Sequence, residues 1–256
     1  MELELSMFLI VCPLVFLAGL LDSIAGGGGL IGLPAYLFAG IPIHFALGTN
    51  KLSSITGTLV ASCRYYRNGY VDMPICIPSI CGALGGSALG ASLTLLVDSR
   101  CLQWILLGIL PITAFFVFKK KGFVPLSAPL SRLKTIVYTL IISVIVGGYD
   151  GFFGPGAGTF LVLLYSGISK LDPRTASGNA KLVNLGSNLS ALVLFFYNGR
   201  VLLPLGLCAG LFSIFGAYIG SGLVIRQGTT IIRYAILTVL TLLFIKIVYD
   251  IVIAAI

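Results

Sequence analysis

The stretch GLLDSIAGGGGLIGLPAYL, residues 19–37, interrupts a strongly apolar run with four consecutive glycines and places Asp22 four residues before them. If this run crosses a membrane, a non-helical break is tolerated only where it lines a cavity or is buried in protein. Glycine permits unusual backbone angles and lets another group approach closely. The stretch therefore predicts a broken helix beside a carboxylate, followed by a helix whose first N–H groups have no internal partner.

The composition indicates an integral membrane protein. The 256 residues are 58% hydrophobic and 9% charged, and the mean hydropathy is +1.09, whereas a soluble domain carries about 25% charged residues. The net charge of +8 is explained by basic cytoplasmic loops, so we expect no nucleic-acid partner. The acidic flank of the first apolar run, with Glu2 and Glu4, favours a retained helix over a cleaved signal peptide. The six cysteines have no metal-ligand spacing, and we expect neither a metal nor a cofactor.

About ten apolar segments are long enough, or nearly so, to cross a hydrocarbon core that requires about 20 residues. They are 4–25, 29–47, 49–66, 73–96, 101–118, 134–152, 156–168, 178–197, 201–224 and 231–255. Segments 29–47 and 156–168 are short or broken by Gly and Pro, and the sequence leaves open whether they cross completely.

The distribution of Lys and Arg predicts the orientation in the cell membrane, plasma or inner. The lysines of KKKG, residues 119–122, and the basic residues of SRLK, residues 131–134, mark a cytoplasmic linker. Counting spans from it places both termini outside. We accordingly divide the chain into a first transmembrane repeat (1–118), a basic cytoplasmic linker (119–134) and a second transmembrane repeat (135–256).

The opening motif has a second copy, which indicates an internal repeat. GLLDSIAGGGG resembles GGYDGFFGPGAG from residue 147, and ALGTNKLSS resembles ASGNAKLVN from residue 176, at offsets of 128 and 130. The matched pairs are Asp22 with Asp150, Gly26 with Gly154, Gly28 with Gly156, Gly48 with Gly178, Lys51 with Lys181, Asn68 with Asn198 and Pro74 with Pro204. Because each half holds about five spans, the second half is inverted relative to the first.

Inverted repeats are typical of secondary transporters, in which broken helices from both halves meet at the substrate. We therefore predict an all-α integral membrane protein with about 8–10 transmembrane helices in two inverted repeats. Its Gly-broken short helices are expected to meet near the midplane. Helix N-termini at such breaks attract anions, so the two breaks would form an anion cradle.

Two lysines and the polar residues around them complete the predicted site. Lys51 and Lys181 open the third and eighth segments, and an ionisable residue within a membrane span is a functional candidate by default. Snorkelling of each lysine to the interface is the alternative. Polar residues follow on the same helix face, namely Ser54 and Thr58 after Lys51, and Asn184 and Asn188 after Lys181. The predicted substrate-binding residues are Gly26, Gly27, Gly28, Gly29, Thr49, Asn50, Lys51, Ser54, Gly154, Gly156, Gly158, Asn179, Lys181 and Asn184.

Asp22 and Asp150 are candidates for coupling, either by carrying a proton or by pairing with the lysines. Both could instead be solvated caps of the broken helices, and the sequence does not separate these roles. His44 follows Pro42 in a loop-like stretch and is expected to lie at the interface rather than to be catalytic.

At these residues the chain resembles the sulfite exporter TauE/SafE family of membrane permeases, also called TSUP. The resemblance rests on DSIAGGGGLIGLPAYLFAGIPIHFALGTNKLSS, residues 22–54, and on its second copy, DGFFGPGAG with ASGNAKLVNLGSNLSAL. It implies a transporter of a small anion such as sulfite, a sulfonate or a related organic anion. The second copy departs from the first, since Pro155 replaces a glycine and Val162 stands opposite Pro34.

We expect a permease that moves such an anion by proton-coupled secondary transport, with the anion, protons and membrane lipid as its partners. An anion channel on the same scaffold and an importer of thiosulfate-type compounds are the alternatives. An enzyme is not expected, because HExxH and nucleophile–base motifs are absent from the sequence. Direction of transport and oligomeric state stay open.

Overall fold

The computed structural model describes residues 3–99, 101–102, 130–227, 230–231 and 234. Its described residues form eight α-helices, numbered here in chain order. They are α1 (Leu5–Ala25), α2 (Gly29–Phe38), α3 (Ile43–Arg67), α4 (Met73–Leu96), α5 (Arg132–Phe152), α6 (Ala157–Gly167), α7 (Pro173–Tyr197) and α8 (Leu203–Gln227). The predicted all-α membrane fold is confirmed. Most of the predicted segments 101–118 and 231–255, and residues 119–129 of the linker, lie outside the described residues, so the proposed domain boundaries stay predictions.

Five of the described helices, α1, α4, α5, α7 and α8, are long and apolar enough to span a membrane. Helix α3 has 25 residues, but its run of Thr, Asn, Lys and Ser makes it less apolar. Helices α2 and α6 have only 10 and 11 residues. At about 1.5 Å per residue, each reaches roughly half of a 30 Å hydrocarbon core.

The predicted boundary between segments 29–47 and 49–66 is wrong. The chain reverses earlier, after α2, at Gly40 with a φ of +78°, and α3 begins directly after Pro42. Gly48 lies inside α3, where its missing side chain allows close packing: a Cβ there would lie 2.3 Å from the Arg200 carbonyl oxygen. Helix α7 likewise begins at Pro173, before the predicted residue 178, because the Asp172 side chain caps its first N–H groups.

Packing between helices repeats in the two halves. A Cβ at Gly86 of α4 would lie 2.2 Å from the Val144 carbonyl oxygen of α5. The equivalent contact joins α8 to α1, since a Cβ at Gly216 would lie 2.1 Å from the Phe16 carbonyl oxygen. Both partners in the second contact are related to those in the first by the offsets found in the sequence. The glycines at these positions let helix backbones touch.

The equivalent helices α3 and α7 run antiparallel. Gly48, near the start of α3, packs against Arg200, which follows the end of α7. Gly178, near the start of α7, packs against Tyr70, which follows the end of α3. This arrangement agrees with an inverted repeat.

Contacts at the helix ends sort the loops into two sides. Arg132, at the end of the basic linker, lies 3.9 Å from Asp72 in the loop after α3. Arg174 stacks over the Tyr70 ring of the same loop at 5.7 Å. Arg200 stacks over Phe45 at the other end of α3, at 5.4 Å. The end of the basic linker and the loop after α3 therefore lie on one side of the molecule, and Arg200 lies on the other.

The core between the helices buries large side chains whose polar ends are hydrogen-bonded. Three tyrosines, Tyr36, Tyr65 and Tyr165, are fully buried. The Tyr65 hydroxyl donates to the Ser23 carbonyl at 2.9 Å, and that of Tyr36 donates to Ser53 at 2.8 Å. Such bonds offset the cost of burying a hydroxyl. The outer helix faces carry exposed Leu, Ile and Phe side chains, as expected of surfaces in contact with lipid.

Candidate functional site

The first glycine break contacts the second half of the chain directly. Helix α1 ends at Ala25, and Gly26 takes a left-handed conformation with a φ of +78°. A Cβ on Gly26 would lie 2.2 Å from the Gly158 carbonyl carbon, and one on Gly158 would lie 2.6 Å from the Gly26 Cα. The Thr159 hydroxyl donates to the Ala25 carbonyl at 2.8 Å. The break is therefore buried in protein, and the Ala25 carbonyl at its start is hydrogen-bonded to the other half.

The second break has the same character. Gly154 and Gly156 have φ values of +99° and +81°, and the Tyr149 hydroxyl donates to the Pro155 carbonyl at 2.7 Å. Gly29, the first residue of α2, packs against Pro155, where a Cβ would lie 3.0 Å from the Pro155 Cα. The prediction that the two Gly-broken segments meet is thus confirmed for the described residues.

Lys51 of α3 forms an ion pair with Asp150 of α5, which belongs to the other half. The Lys51 Nζ atom lies 2.9 Å from the Asp150 Oδ1 atom, and the two side chains are 4% and 6% exposed. The same ammonium donates to the Asp150 carbonyl at 2.6 Å and to the Asn188 Oδ1 atom at 2.9 Å.

Lys181 of α7 forms the reciprocal pair with Asp22 of α1. The Lys181 Nζ atom lies 3.0 Å from the Asp22 Oδ2 atom. Thr58 donates to the same carboxylate oxygen at 3.4 Å, and the Gly28 N–H at the start of α2 donates to Oδ1, also at 3.4 Å. Gly28 lies tightly over this aspartate, since a Cβ there would lie 2.5 Å from the Asp22 Cβ. The Gly27 carbonyl accepts a hydrogen bond from the Leu30 N–H and so forms part of the first turn of α2.

The prediction that Lys51 and Lys181 open their helices is wrong, because both helices begin eight residues earlier. At about 1.5 Å per residue, each lysine lies about 12 Å along its helix axis, too deep for an ammonium to snorkel to the near end. Their relative exposures are 3% and 1%. Both lysines therefore lie deep in the helix bundle, and the snorkelling alternative does not hold.

Asn184 lies in the buried cluster together with Ser187 and Asn188, two residues that are not among the predicted substrate-binding residues. The Asn188 Nδ2 atom lies 3.4 Å from the Asn184 Oδ1 atom. The Ser187 hydroxyl donates to the Asp150 Oδ2 atom at 2.5 Å. Its position three residues after Asn184, on the same helix face, was the sequence signal that could have identified it.

Other predicted residues lie away from the ion pairs. The Thr49 hydroxyl accepts from the Leu202 N–H at 3.0 Å, and the Asn179 Oδ1 atom accepts from the Asp72 N–H at 3.0 Å. Because successive helix residues are turned by about 100°, a residue two positions before each lysine faces the opposite way. These two side chains accept hydrogen bonds from backbone N–H groups in the loops that precede α8 and α4.

Asn50 and Ser54 lie neither in the ion pairs nor on the opposite face of α3. Asn50 lies against α2, where a Cβ on Gly32 would be 2.5 Å from its Oδ1 atom. Ser54 is half-buried, one turn after Lys51. Within the described part of the chain, neither side chain is hydrogen-bonded to an ion pair.

His44 lies in the first turn of α3 rather than in a loop. Its Nε2 atom lies 3.2 Å from the Thr94 carbonyl oxygen, and its Nδ1 atom lies 3.2 Å from the Ser99 hydroxyl. Among the described residues, no cluster of His, Cys, Asp and Glu could hold a metal. One cysteine pair is close, Cys12 and Cys208, with 3.6 Å between the sulfur atoms.

The arrangement places two cations and two anions in the protein interior with their charges cancelled. A buried ion is tolerated when it is paired and hydrogen-bonded. Each aspartate occupies the position at which a lysine, and at Asp22 also a helix N-terminus, would hold a free anion.

Comparison with known proteins places this chain among membrane transporters. Residues 11–247 match the family described as Sulfite exporter TauE/SafE. The chain belongs to the TauE/SafE family. A probable membrane transporter protein, ORF9, from a Sinorhizobium species is 37% identical over 235 residues, covering 92% of this chain and 90% of that protein. A probable membrane transporter protein of Haemophilus influenzae is 34% identical over 251 residues, 98% of each chain.

A further relative of this TauE/SafE protein is the probable membrane transporter protein YfcA of Escherichia coli K12, 35% identical over 235 residues, 91% of this chain and 87% of YfcA. No solved structure matches the chain. The relatives are named as membrane transporters rather than as enzymes. The chain is thus a multi-pass membrane protein of a transporter family.

Proposed function

We propose that this protein is a proton-coupled permease for a small oxyanion, with sulfite or a sulfonate as the substrate class. It moves the anion across the cell membrane without converting it chemically. The observation that carries the proposal is the pair of buried Lys–Asp ion pairs, each formed between the two halves and next to a glycine break. The family description supports the choice of sulfur oxyanions.

Charge balance favours proton coupling. An anion that binds a buried lysine must displace the aspartate, which would leave a carboxylate unpaired in the protein interior at a cost of several kcal/mol. Protonation of the aspartate removes that cost, because the neutral acid no longer needs the ammonium. One proton and one monovalent anion then enter together, and the buried net charge stays unchanged.

The position of the pairs favours a carrier over a channel. Each pair joins elements of both halves, so binding and release of the anion make and break contacts between the halves. Alternating access in inverted-repeat transporters depends on such relative motion. The proposal also includes the predicted orientation, with the basic linker on the cytoplasmic side.

The test is uptake of radiolabelled sulfite and sulfoacetate into liposomes that contain the purified protein, with and without a pH gradient. We expect uptake that the gradient accelerates and that Lys181→Met abolishes. Lys134→Met is the matched control, because Lys134 is an exposed lysine at the start of α5. Unlabelled anion on the opposite side should accelerate exchange, as it does in a carrier and not in a channel.

The outcomes separate the parts of the proposal. Folded protein that takes up neither anion contradicts the substrate class. Uptake that ignores the gradient contradicts proton coupling, and absence of exchange stimulation favours the channel. Equal loss in Lys181→Met and Lys134→Met would contradict the assigned site.

A further inference from the structure

The two Lys–Asp pairs are equivalent by sequence, but their surroundings differ. An ammonium has three N–H donors. Lys51 has three acceptors at 2.9, 2.6 and 2.9 Å, namely Oδ1 and the carbonyl oxygen of Asp150 and Oδ1 of Asn188. The second carboxylate oxygen of Asp150 accepts from Ser187. Both charges of this pair are therefore satisfied by the protein itself.

Lys181 is satisfied far less completely. Within the described part of the chain, its ammonium donates to the Asp22 Oδ2 atom and to no other acceptor, although its side chain is 1% exposed. Asp22 is also held more loosely than Asp150, because its contacts with Thr58 and Gly28 are both 3.4 Å long. The Asp22 side chain is 17% exposed, against 6% for Asp150.

The difference between the two pairs originates in the sequence. Gly57 stands where the second half has Ser187, and Thr58 stands where it has Asn188. A side chain at residue 57 is excluded, because a Cβ there would lie 2.3 Å from the Ser213 hydroxyl and 2.9 Å from the Ser213 carbonyl oxygen. Asp22 therefore lacks the donor that fixes Asp150.

We infer that the two pairs have divided roles: the Lys181–Asp22 pair opens to bind the substrate anion, and the Lys51–Asp150 pair stays closed as a brace between the halves. The inference rests on the proposed function. The anion would bind the free N–H groups of Lys181, with the Thr58 hydroxyl and the Gly28 N–H as further donors. This set of donors suits an oxyanion.

A test that needs no anion is labelling with dicyclohexylcarbodiimide, an apolar reagent that forms a stable N-acylurea with protonated carboxylic acids inside membranes. Purified wild-type protein is labelled at mildly acidic pH, and the modified aspartates are identified by peptide mass spectrometry. We expect labelling at Asp22 to exceed that at Asp150 by about tenfold or more, because only the former pair opens. Equal labelling, or faster labelling of Asp150, overturns the division of roles.

A second test uses the matched variants Asp22→Asn and Asp150→Asn in the liposome assay. Asp22→Asn leaves Lys181 without its counter-ion, so its melting temperature should fall and should rise again when sulfite is added, and its uptake should no longer depend on the pH gradient. Asp150→Asn should lower the melting temperature, and where it folds the gradient dependence should remain. Loss of gradient dependence in Asp150→Asn alone would overturn the inference.

Ser187→Ala covers the case in which Asp150→Asn does not fold. It removes one donor from Asp150, so we expect a lower melting temperature and increased labelling of Asp150, with the gradient dependence of uptake retained. Unchanged labelling of Asp150 would contradict the role of Ser187 in the brace. If wild-type protein takes up no anion, the proposed function fails, whereas the labelling still decides whether the two pairs differ.

Discussion

The Lys51 Nζ and Asp150 Oδ1 atoms lie 2.9 Å apart, although the two residues belong to different repeats and are separated by 99 positions in the chain. Their counterparts, Lys181 and Asp22, form the same bond in the opposite sense. Each repeat thus supplies the cation for one pair and the anion for the other. The two halves are joined electrostatically at the point where the broken helices meet.

The Lys51–Asp150 pair should behave as a single unit in stability measurements. Lys51→Met leaves a buried carboxylate without its cation and should cost about 3–5 kcal/mol. The double variant Lys51→Met with Asp150→Leu removes both charges and should recover most of that loss. Thermal unfolding in detergent measures both. Additive losses in the double variant would show that the two residues do not interact.

Gly26 should tolerate no side chain. Its left-handed φ of +78° costs a residue with a Cβ about 1–2 kcal/mol, and the Cβ would also collide with the Gly158 backbone. We expect Gly26→Ala to be unfolded or inactive, as judged by size-exclusion chromatography and sulfite uptake.

Gly40 is the matched control for this substitution. It has the same φ of +78°, but nothing lies within 4 Å of the position of its Cβ. Gly40→Ala should therefore lose only the stability that the left-handed φ costs a residue with a Cβ, and it should remain active. Similar behaviour of the two variants would mean that the contact between the breaks does not limit the fold.

Thr49 should contribute to stability and not to substrate affinity. Its hydroxyl accepts from the Leu202 N–H, so Thr49→Val leaves a donor unpaired and should cost about 1–3 kcal/mol. The KM for sulfite should stay within about twofold of the wild-type value, since a residue that does not touch the anion changes no binding energy. A selective rise in KM without loss of thermal stability would contradict this prediction and would indicate that Thr49 contacts the substrate.

Cys12 and Cys208 should form a disulfide on mild oxidation, because their sulfur atoms are 3.6 Å apart. The experiment uses a variant in which Cys63, Cys76, Cys81 and Cys101 are replaced by Ala, with a protease site inserted in the basic linker. After cleavage, the two fragments should migrate together on a non-reducing gel. Transport should survive oxidation, since α1 and α8 already pack backbone to backbone.

If oxidation forms the disulfide and stops transport, α1 and α8 must move apart during the cycle. If no disulfide forms, the two helices do not approach in the membrane as described here. Reduction should restore the original mobility of the fragments in the first case and change nothing in the second.

The sequence predicts the elements of the site better than their connections. The glycine breaks, the two lysines and the two aspartates are recognisable because Gly, Lys and Asp are conspicuous in apolar segments, and their repetition reinforces each position. The pairing of Lys51 with Asp150 depends on how the halves pack, which no local pattern contains. Ser187 was missed because a serine in a membrane helix is common.

The helix boundaries illustrate a second limit. Gly48 stands between two apolar runs and resembles a break, but it lies inside α3, where its lack of a side chain serves packing against the loop at Arg200. Glycine marks both breaks and close helix contacts in membranes. Only the three-dimensional partner of each glycine distinguishes these uses.

The contact between Gly216 and the Phe16 carbonyl has a consequence for biogenesis. Helix α1 is synthesised well before its packing partner α8, which follows it by more than 170 residues. Asp22 lacks Lys181 until α7 is made, and the face of α1 at Phe16 stays uncovered until α8 is made. A nascent chain that is interrupted before α7 therefore holds an unpaired carboxylate as well as an uncovered helix face, both of which a membrane quality-control protease could recognise.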